Sequence, residues 1–427
     1  MWHKAEMQAL HAPGESRRTL RAAIIRPAAL LALVTGLTSC GGDHYCGNCG
    51  PSYPATEVSY GLVAADFTGN GFTSIVQTST IMNGNQPAPG YLKAYLSAGA
   101  GAFAAPVLTS DGDDPLYLAT ADINGDHLPD IVSASFQDGT LSVFFNDAQS
   151  PGSFNTPLVL SSPGASQVAI ADMNGDNLPD LVSADYNVSL FLQTSPGTFA
   201  SPITLYSGGA NWVAVGDLNG DGIPDVALTD SVGVKLLLHT GAASATTYAT
   251  PISVYTEASN AAFLGANLIA IADVNGDGLN DLVITDPGPA GGSAPTVAVL
   301  LQNASSPGTF LPAVSYATAA GSLAQTIAVV DVNGDGHPDI IIGGSSAVSV
   351  LLQNAASPGT FLAATNYAVS NANEIAVADV NADGLPDIIV ATGPTQPVQN
   401  GVITNQPGVL LQSASAPGTF TALQNLP

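Results

Sequence analysis

The sequence predicts an all-β protein, a seven-bladed β-propeller whose blades are four-stranded antiparallel sheets. Three observations support this prediction. An acidic nine-residue loop recurs along the chain, an aromatic turn recurs with it, and short apolar runs lie between them. Units of about 50 residues that contain four strands are typical of propeller blades. A closed ring of such units buries the sheet faces against one another and leaves only short strand edges exposed.

The acidic loop reads Asp-x-Asn-Gly/Ala-Asp-x-x-Pro/Asn-Asp, and it occurs six times after one degenerate copy. The copies start at Asp66, Asp122, Asp172, Asp217, Asp273, Asp331 and Asp379. An aromatic residue follows each copy, usually within Pro-Gly-Ser/Thr-Phe, at Phe103, Phe154, Phe199, Tyr248, Phe310, Phe361 and Phe420. Both markers therefore give the same count of seven units.

Each unit contains four short runs rich in Val, Ile, Leu and Thr that turn residues separate, which predicts four strands. In the third unit the runs are residues 167–171, 180–184, 188–192 and 199–206. The acidic loop joins the first two strands and the aromatic turn joins the last two. Because strands alternate in direction, both turns are expected on one face of the ring.

The opposite face carries the remaining connections, and these vary in length. Long connections are expected at residues 78–90, 286–295 and 393–408, and distinctive ones at 110–115 and 257–267. Variable loops on a rigid scaffold commonly bind ligands. We therefore expect a binding surface on this face near units seven and one, with neutral variation of surface loops as the alternative.

The composition of the acidic loops favours calcium. Side-chain oxygens at positions 1, 3, 5 and 9 form a hard oxygen set, which suits Ca²⁺, and glycine allows a tight curl. An EF-hand is excluded because position 12 is never Glu, while acidic turns without metal remain an alternative. About six calcium sites are expected, since the Asp66 copy lacks two carboxylates. The expected ligands are Asp122, Asn124, Asp126, Asp130, Asp172, Asn174, Asp176, Asp180, Asp217, Asn219, Asp221, Asp225, Asp273, Asn275, Asp277, Asp281, Asp331, Asn333, Asp335, Asp339, Asp379, Asn381, Asp383 and Asp387.

The N-terminal segment has the features of an export signal. A basic stretch precedes a short apolar run, which predicts a signal peptide over residues 1–39. Residues 37–40 (Leu-Thr-Ser-Cys) resemble a bacterial lipobox, and the resemblance implies cleavage before Cys40 and lipidation of its thiol; an ordinary cleaved signal is the alternative. Residues 40–55 read as a flexible tether, in which Cys46 and Cys49 are expected to form a local disulfide. The propeller is expected over residues 56–427.

Charge excludes several classes of function. The chain has 33 acidic and 7 basic residues, a formal net charge of −26, and no arginine after Arg26. Nucleic acid is not expected as a partner, because phosphate binding needs clustered Lys and Arg. Enzymes that grip anionic substrates directly are disfavoured for the same reason. No nucleophile motif such as G-x-S-x-G preceding a helix occurs, so no catalytic residues are expected.

The repeats, with Pro-Gly-Thr-Phe after Asp-Val-Asn-Gly-Asp-Gly, are similar to the FG-GAP/VCBS repeats of integrin α-subunit propellers and of many secreted bacterial proteins. The resemblance implies adhesion or ligand capture and, less often, catalysis. We expect an exported, lipid-anchored, calcium-binding and monomeric adhesion module at the cell envelope, with an unknown protein or glycan ligand. A scaffold subunit of an envelope complex, or a metal-assisted lyase or hydrolase, are the alternative hypotheses.

Overall fold

A computed structural model describes residues 56–83, 86–99, 101–230, 232–241, 247–256, 268–286, 295–319, 324–393 and 406–426. Contacts divide the chain into Met1–Gly47 and Asn48–Pro427, and every described residue belongs to the second unit. The expected signal peptide, the lipidation site Cys40 and the pair Cys46 and Cys49 lie outside the described residues. In the described ranges, no helix is long and apolar enough to cross a membrane.

Seven antiparallel sheets follow one another along the chain and form the blades of a propeller, which confirms the predicted fold class. Blade one contains β1 (Thr56–Val58), β2 (Leu62–Ala65), β3 (Ser74–Asn83), β4 (Gln86–Tyr95), the short hairpin β5 (Ser97–Gly99) and β6 (Ala102–Phe103), and β7 (Val107–Asp113). Blade two contains β8 (Pro115–Ala121), β9 (Asp130–Ser135), β10 (Thr140–Phe144) and β11 (Leu158–Ser161). Blade three contains β12 (Gln167–Ala171), β13 (Asp180–Ala184), β14 (Val188–Phe191), the hairpin β15 (Gln193–Ser195) and β16 (Thr198–Phe199), and β17 (Ile203–Tyr206).

The remaining blades repeat the four-stranded pattern in chain order. Blade four contains β18 (Trp212–Gly216), β19 (Asp225–Thr229), β20 (Gly233–Leu237) and β21 (Ile252–Thr256). Blade five contains β22 (Ile269–Ala272), β23 (Asp281–Asp286), β24 (Thr296–Leu300) and β25 (Val314–Ala317). Blade six contains β26 (Ala324–Val330), β27 (Asp339–Gly344), β28 (Ala347–Leu351) and β29 (Thr365–Ala368). Blade seven contains β30 (Ala372–Ala378), β31 (Asp387–Thr392), β32 (Gly408–Leu410) and β33 (Gln424–Asn425).

The second strand of each blade is buried on both faces because every blade stacks on two neighbours. All five residues of β13 are buried, for example, whereas exposed and half-buried residues alternate along the outer strand β11. The core is accordingly divided into seven clusters, one between each pair of adjacent blades. Between blades two and three, Leu141 and Val143 pack in one cluster with Leu181. Full burial of such a side chain contributes about 1.5–3 kcal/mol.

Blades seven and one close the ring. Ile389 and Val409 of blade seven share a buried cluster with Leu62 and Ile75 of blade one. The Asn373 side-chain amide also donates a hydrogen bond of 2.7 Å to the Ser59 carbonyl, 314 residues earlier in the chain. Units seven and one are therefore neighbours in the ring.

Two of the expected variable connections, one long and one distinctive, are instead mostly strand. Residues 78–90 extend β3 and β4 into a long hairpin, with Thr78 opposite Leu92 and Met82 opposite Pro87. Residues 110–115 belong to the end of β7 and the start of β8, with Asp114 between them. The prediction of loops was wrong there, because residues 78–90 pair with one another and with the flanking strand ends as a hairpin, whereas residues 110–115 pair with β4 and β9. Most of the other three connections, at residues 287–294, 394–405 and 257–267, lies outside the described residues.

Candidate functional site

The candidate site is the face that carries the acidic loops of blades two to seven. Each loop starts with an Asp whose carboxylate accepts hydrogen bonds from the loop's own backbone. In blade three, Asp172 Oδ1 accepts from the amides of Gly175 (2.7 Å) and Asp176 (3.1 Å), and Asp172 Oδ2 accepts from Asn177 (2.7 Å). The curl requires positive φ at positions 4 and 6, where Gly175 has a φ of 77° and Asn177 one of 64°. Ala382, which replaces glycine in blade seven, adopts a φ of 62°.

Positions 3 and 5 complete the loop near its surface. The Asp176 amide donates to Asn174 Oδ1 (2.9 Å), and Asn174 Nδ2 donates to Asp176 Oδ2 (2.9 Å). Asp176 Oδ1 in turn accepts a hydrogen bond from the Leu178 amide (2.9 Å). Positions 1, 3 and 5 are thus brought together, with position 5 exposed and positions 1 and 3 half-buried.

The aspartate at position 9 has a different environment. Asp180 is fully buried, and its two oxygens accept hydrogen bonds from the amides of Met173 (2.9 Å) and Gln193 (2.7 Å). Burial raises its pKa to about 6, although the two backbone hydrogen bonds oppose the increase. The pKa of the equivalent aspartates in four other loops also rises to about 6: Asp130, Asp225, Asp281 and Asp339. Burial raises the pKa of Asp387 as well. The position-9 side chain therefore ties the loop to the corner after the third strand.

The sequence analysis missed the residue at that corner, which we call the corner residue. Its backbone pairs with the aromatic residue of the following turn in all seven blades. In blade six, Gln353 also donates from Nε2 to the Pro338 carbonyl (2.8 Å) and accepts the Gly359 amide at Oε1 (3.4 Å). The corner residues are Ser97, Asn146, Gln193, His239, Gln302, Gln353 and Gln412. A recurring amide residue shortly before each Pro-Gly is the signal that could have identified them.

The aromatic turns contact the acidic loops of the preceding blade, which confirms that both lie on one face. Gly359 has a φ of 79°, and a Cβ at that position would lie 3.0 Å from Cβ of Asn275 in the neighbouring loop. The same relation closes the ring, because a Cβ on Gly101 of blade one would lie 3.6 Å from Asn381 of blade seven. In blades one, two, five, six and seven the turn thus lies against the preceding blade's loop, and these loops and turns form a belt on this face.

The degenerate loop of blade one folds in the same way with fewer charges. Asp66 accepts hydrogen bonds from the amides of Thr68 (3.2 Å), Asn70 (3.1 Å) and Gly71 (2.6 Å). Ser74 replaces the position-9 aspartate, and its hydroxyl accepts the amide of Ser97, the corner residue, at 3.0 Å. The loop conformation therefore does not require three carboxylates, so the extra charges of the other six loops need a separate explanation.

The residue types of the acidic loops suit a bound calcium ion, whereas the arrangement of their side chains does not show one. Three carboxylates and one amide oxygen per loop are ligands that Ca²⁺ prefers, and each oxygen has a second lone pair besides the one that accepts a backbone hydrogen. Within the described ranges, however, no group of three or more His, Cys, Asp or Glu side chains is arranged so that it could hold a metal ion. The residue types fit calcium, whereas the convergence of their oxygens on one ion stays a prediction.

A cavity of about 320 Å³ lies at the centre of the ring, lined by the first strands of blades two to six. Tyr117 and Trp212 meet in it edge to face, with ring centroids 5.3 Å apart and an interplanar angle of 81°. Both residues lie near the starts of their strands, which are the ends remote from the acidic loops. The starts of β12 and β18 are buried and their loop-proximal halves are half-buried. The Tyr117–Trp212 pair therefore lines the cavity at its end away from the loops.

Both basic residues that follow Arg26 are engaged in ion pairs. Lys93 Nζ lies 2.8 Å from Glu57 Oε1, and both side chains are only 2% exposed. Lys235 pairs with Asp230, and its side chain is 18% exposed. Burial lowers the pKa of Lys93, although the hydrogen bond to Glu57 opposes the decrease. Neither ammonium group is therefore offered to an anionic ligand.

Comparisons with solved structures support the fold. A lectin from Agrocybe aegerita that recognises non-reducing terminal N-acetylglucosamine has a TM-score of 0.52 and 21% identity, covering 73% of this chain and 80% of the lectin. The Vibrio cholerae biofilm matrix protein Bap1 has a TM-score of 0.43 and 13% identity, covering 88% and 90%. The rhamnogalacturonan lyase YesW has a TM-score of 0.45 and 12% identity, covering 82% and 73%. The likeness to the lectin, at 21% identity, shows the fold alone, and none of the three comparisons supports a specific enzyme activity.

Comparison with curated proteins finds no match. A family model described as FG-GAP-like repeat matches five overlapping segments, residues 122–183, 172–228, 217–284, 273–342 and 331–390. The matched segments span more than half of the chain, and each contains two successive acidic loops and the strands between them. Propellers of this type are general ligand-binding and adhesion modules. The chain therefore belongs to the FG-GAP-like repeat family.

Proposed function

We propose that this protein is an exported, lipid-anchored calcium-binding propeller that captures a neutral glycan or a protein ligand at the cell envelope. The observation that carries the proposal is the belt of six acidic loops on one face. The blade-one loop adopts the same curl with one carboxylate, so the curl itself does not need the two additional carboxylates of each other loop. Clustered carboxylates repel one another, and a bound divalent cation offsets that repulsion.

The charge distribution supports an uncharged ligand. The protein has a formal net charge of −26, and the two lysines that could attract an anion are held in ion pairs with Glu57 and Asp230. A neutral glycan meets no repulsion of this kind. The lectin of similar fold binds terminal N-acetylglucosamine, which makes neutral sugars the first class of ligand to test.

The face opposite the acidic loops is the proposed binding surface. The long β3–β4 hairpin of blade one projects on that side, near the junction with blade seven. The acidic loops and aromatic turns of the other face are nearly uniform and hold one blade to the next. Uniform turns suit a scaffold, whereas an element peculiar to one blade suits specific recognition.

The first test concerns calcium. Purified protein without the signal segment is melted in EDTA and in millimolar Ca²⁺, since a ligand that binds only the folded state at a hundredfold excess over Kd adds about 2.7 kcal/mol per site. Native mass spectrometry then compares Asp221→Ala, which is expected to lose one ion, with Asp66→Ala, which is expected to lose none. Equal melting temperatures in the two buffers would contradict the calcium proposal.

The second test concerns the ligand. The protein is applied to a glycan array that presents neutral and anionic sugars, with and without EDTA, and binding is expected on neutral sugars only. A variant whose residues 81–88 are replaced by a two-residue turn is expected to lose binding while its melting temperature stays close to that of the wild type. If the shortened variant binds as before and Asp225→Ala alone loses binding while folded, the acidic face is the binding surface.

A further inference from the structure

A buried carboxylate between blades one and two has no partner. Asp111 is 0% exposed, and neither of its oxygens forms a hydrogen bond within the described part of the chain. It lies in β7 where the pairing with β4 shifts in register, between Pro89 and Tyr91. Two hydroxyl groups of blade two, Ser133 Oγ and Ser135 Oγ, are also buried without a partner. An unpaired buried charge is costly, so a cation bound beside Asp111 would be stabilising.

The surrounding groups are oxygen ligands from blade two. Ser133 and Ser142 are directly opposite each other in β9 and β10, and Ser135 lies two residues further on the same face. The hydroxyls of Ser133 and Ser142 partly oppose the rise in the pKa of Asp111 that its burial causes, and the charge of Asp138 adds to that rise. Asp138 itself packs over Gly112, since a Cβ on this glycine would lie 2.2 Å from Asp138 Oδ2.

In two other blades a lysine occupies the strand position that Ser142 has in blade two, and its ammonium group neutralises a buried carboxylate. Ser142 lies opposite Ser133 in the second and third strands, and Lys235 lies opposite Leu228 at the equivalent place in blade four. Lys93 occupies that place in blade one, opposite Gln77. Each lysine pairs with a buried carboxylate, Lys235 with Asp230 and Lys93 with Glu57. Blade two has Ser142 at this position, so Asp111, which faces it from β7 of blade one, has no lysine at the equivalent place.

At the interface between blades two and three, a buried carboxylate is compensated by hydrogen-bond donors and not by a lysine. Ser189 is at the lysine position there, and Asp185 is the carboxylate. Asp185 Oδ2 accepts hydrogen bonds from Ser162 Oγ (3.0 Å) and Ser183 Oγ (3.4 Å), while its Oδ1 accepts from the Asn187 amide. This carboxylate is fully provided with donors. Asp111, by contrast, has no ammonium group, and although the hydroxyls of Ser133 and Ser142 lie close to it, neither forms a hydrogen bond of good geometry with its oxygens.

We propose that Asp111 and Asp138, together with the hydroxyls of Ser133, Ser135 and Ser142, bind a calcium ion between blades one and two. Two carboxylates balance one divalent cation, and an all-oxygen set with hydroxyl groups suits a hard cation. The ion enters past Gly112 and Asp138, which are both exposed. It occupies the place that a lysine ammonium takes in blades one and four. This Asp111 site is independent of the acidic loops, from which it is separated by the length of the blade.

The test counts calcium ions per molecule by native mass spectrometry and compares variants. Asp111→Asn and Ser142→Lys are each expected to bind one ion fewer than the wild type, the latter because the new ammonium group replaces the ion. Ser142→Lys is also expected to raise the melting temperature in EDTA. The matched control is Asp185→Asn, at the interface where the carboxylate has its own donors, and it is expected to lose no ion.

Asp138→Asn provides a variant that does not alter the buried part of the site, and it is also expected to lose one ion. An unchanged ion count in folded Asp138→Asn and in whichever of the two buried variants folds overturns the proposal. Because each count is a difference from the wild type, it does not depend on how many acidic loops bind calcium. A wild type that binds a single ion, lost in Asp138→Asn, would support the Asp111 site and contradict the loop sites.

Discussion

The buried ion pair between Glu57 and Lys93 offers a sharp test of how blade one is held together. Glu57 lies on β1, the first described strand, and Lys93 lies on β4, so the pair spans the blade across β3. The contact is 2.8 Å long, and the hydroxyl of Ser79 donates a second hydrogen bond to Glu57 Oε1 at 2.5 Å. Both side chains are only 2% exposed, so water cannot compensate either charge if its partner is removed.

Replacing Lys93 by methionine should therefore be strongly destabilising. Breaking a buried pair by removing one partner typically costs about 3–5 kcal/mol, because the other charge stays buried without compensation. Exchanging both residues, as Glu57→Gln with Lys93→Met, should recover most of that loss, since a neutral pair has no uncompensated charge. The free energy of coupling in this double-mutant cycle is expected to be about 2 kcal/mol or more.

Urea unfolding at constant calcium measures these free energies. Trp212 is the only tryptophan after the signal segment and is 6% exposed, so its fluorescence reports unfolding of the ring. Lys235→Met is the matched control, and it should cost less because that side chain is 18% exposed. If Lys93→Met unfolds within about 1 kcal/mol of the wild type, or if the double variant is no more stable than Lys93→Met, the reasoning on charge burial is wrong.

Three further predictions concern the loops, the corner residues and the anchor. In EDTA the melting temperature should fall as pH rises from about 4 to 6 and level off above that. Burial raises the pKa of five position-9 aspartates from 3.8 to about 6, so the stability they contribute when protonated is complete below their unfolded pKa and is lost as pH rises through the folded one. A flat or rising profile would contradict this. Gln353→Ala should lose about 1–3 kcal/mol in urea unfolding because two buried hydrogen bonds disappear, whereas Gln353→Asn should lose less, since Asn146 makes the equivalent bonds in blade two. Cys40→Ser should move the full-length protein from the detergent phase to the aqueous phase on Triton X-114 partitioning, and a variant that stays in the detergent phase would show that lipid on Cys40 is not the anchor.

The blade count, the strand pattern and the tight curl of the acidic loops could be predicted from the sequence. These features depend on residues close together in the chain, because Asp172 bonds to amides three to five residues later and the strands follow apolar runs of period-two or continuous type. The aromatic turn could likewise be counted from its repeated residues, without knowledge of its partner.

Tertiary structure decided the features that depend on contacts between blades. The corner residues receive their role from a position-9 aspartate and a turn that lie on other strands, and Asn373 closes the ring on a carbonyl 314 residues away. The environment of Asp111 is likewise set by a register shift in one blade and three serines of the next. Burial and the loss of water change the cost of a charge only once those chain segments meet, and a local sequence pattern carries no record of that meeting.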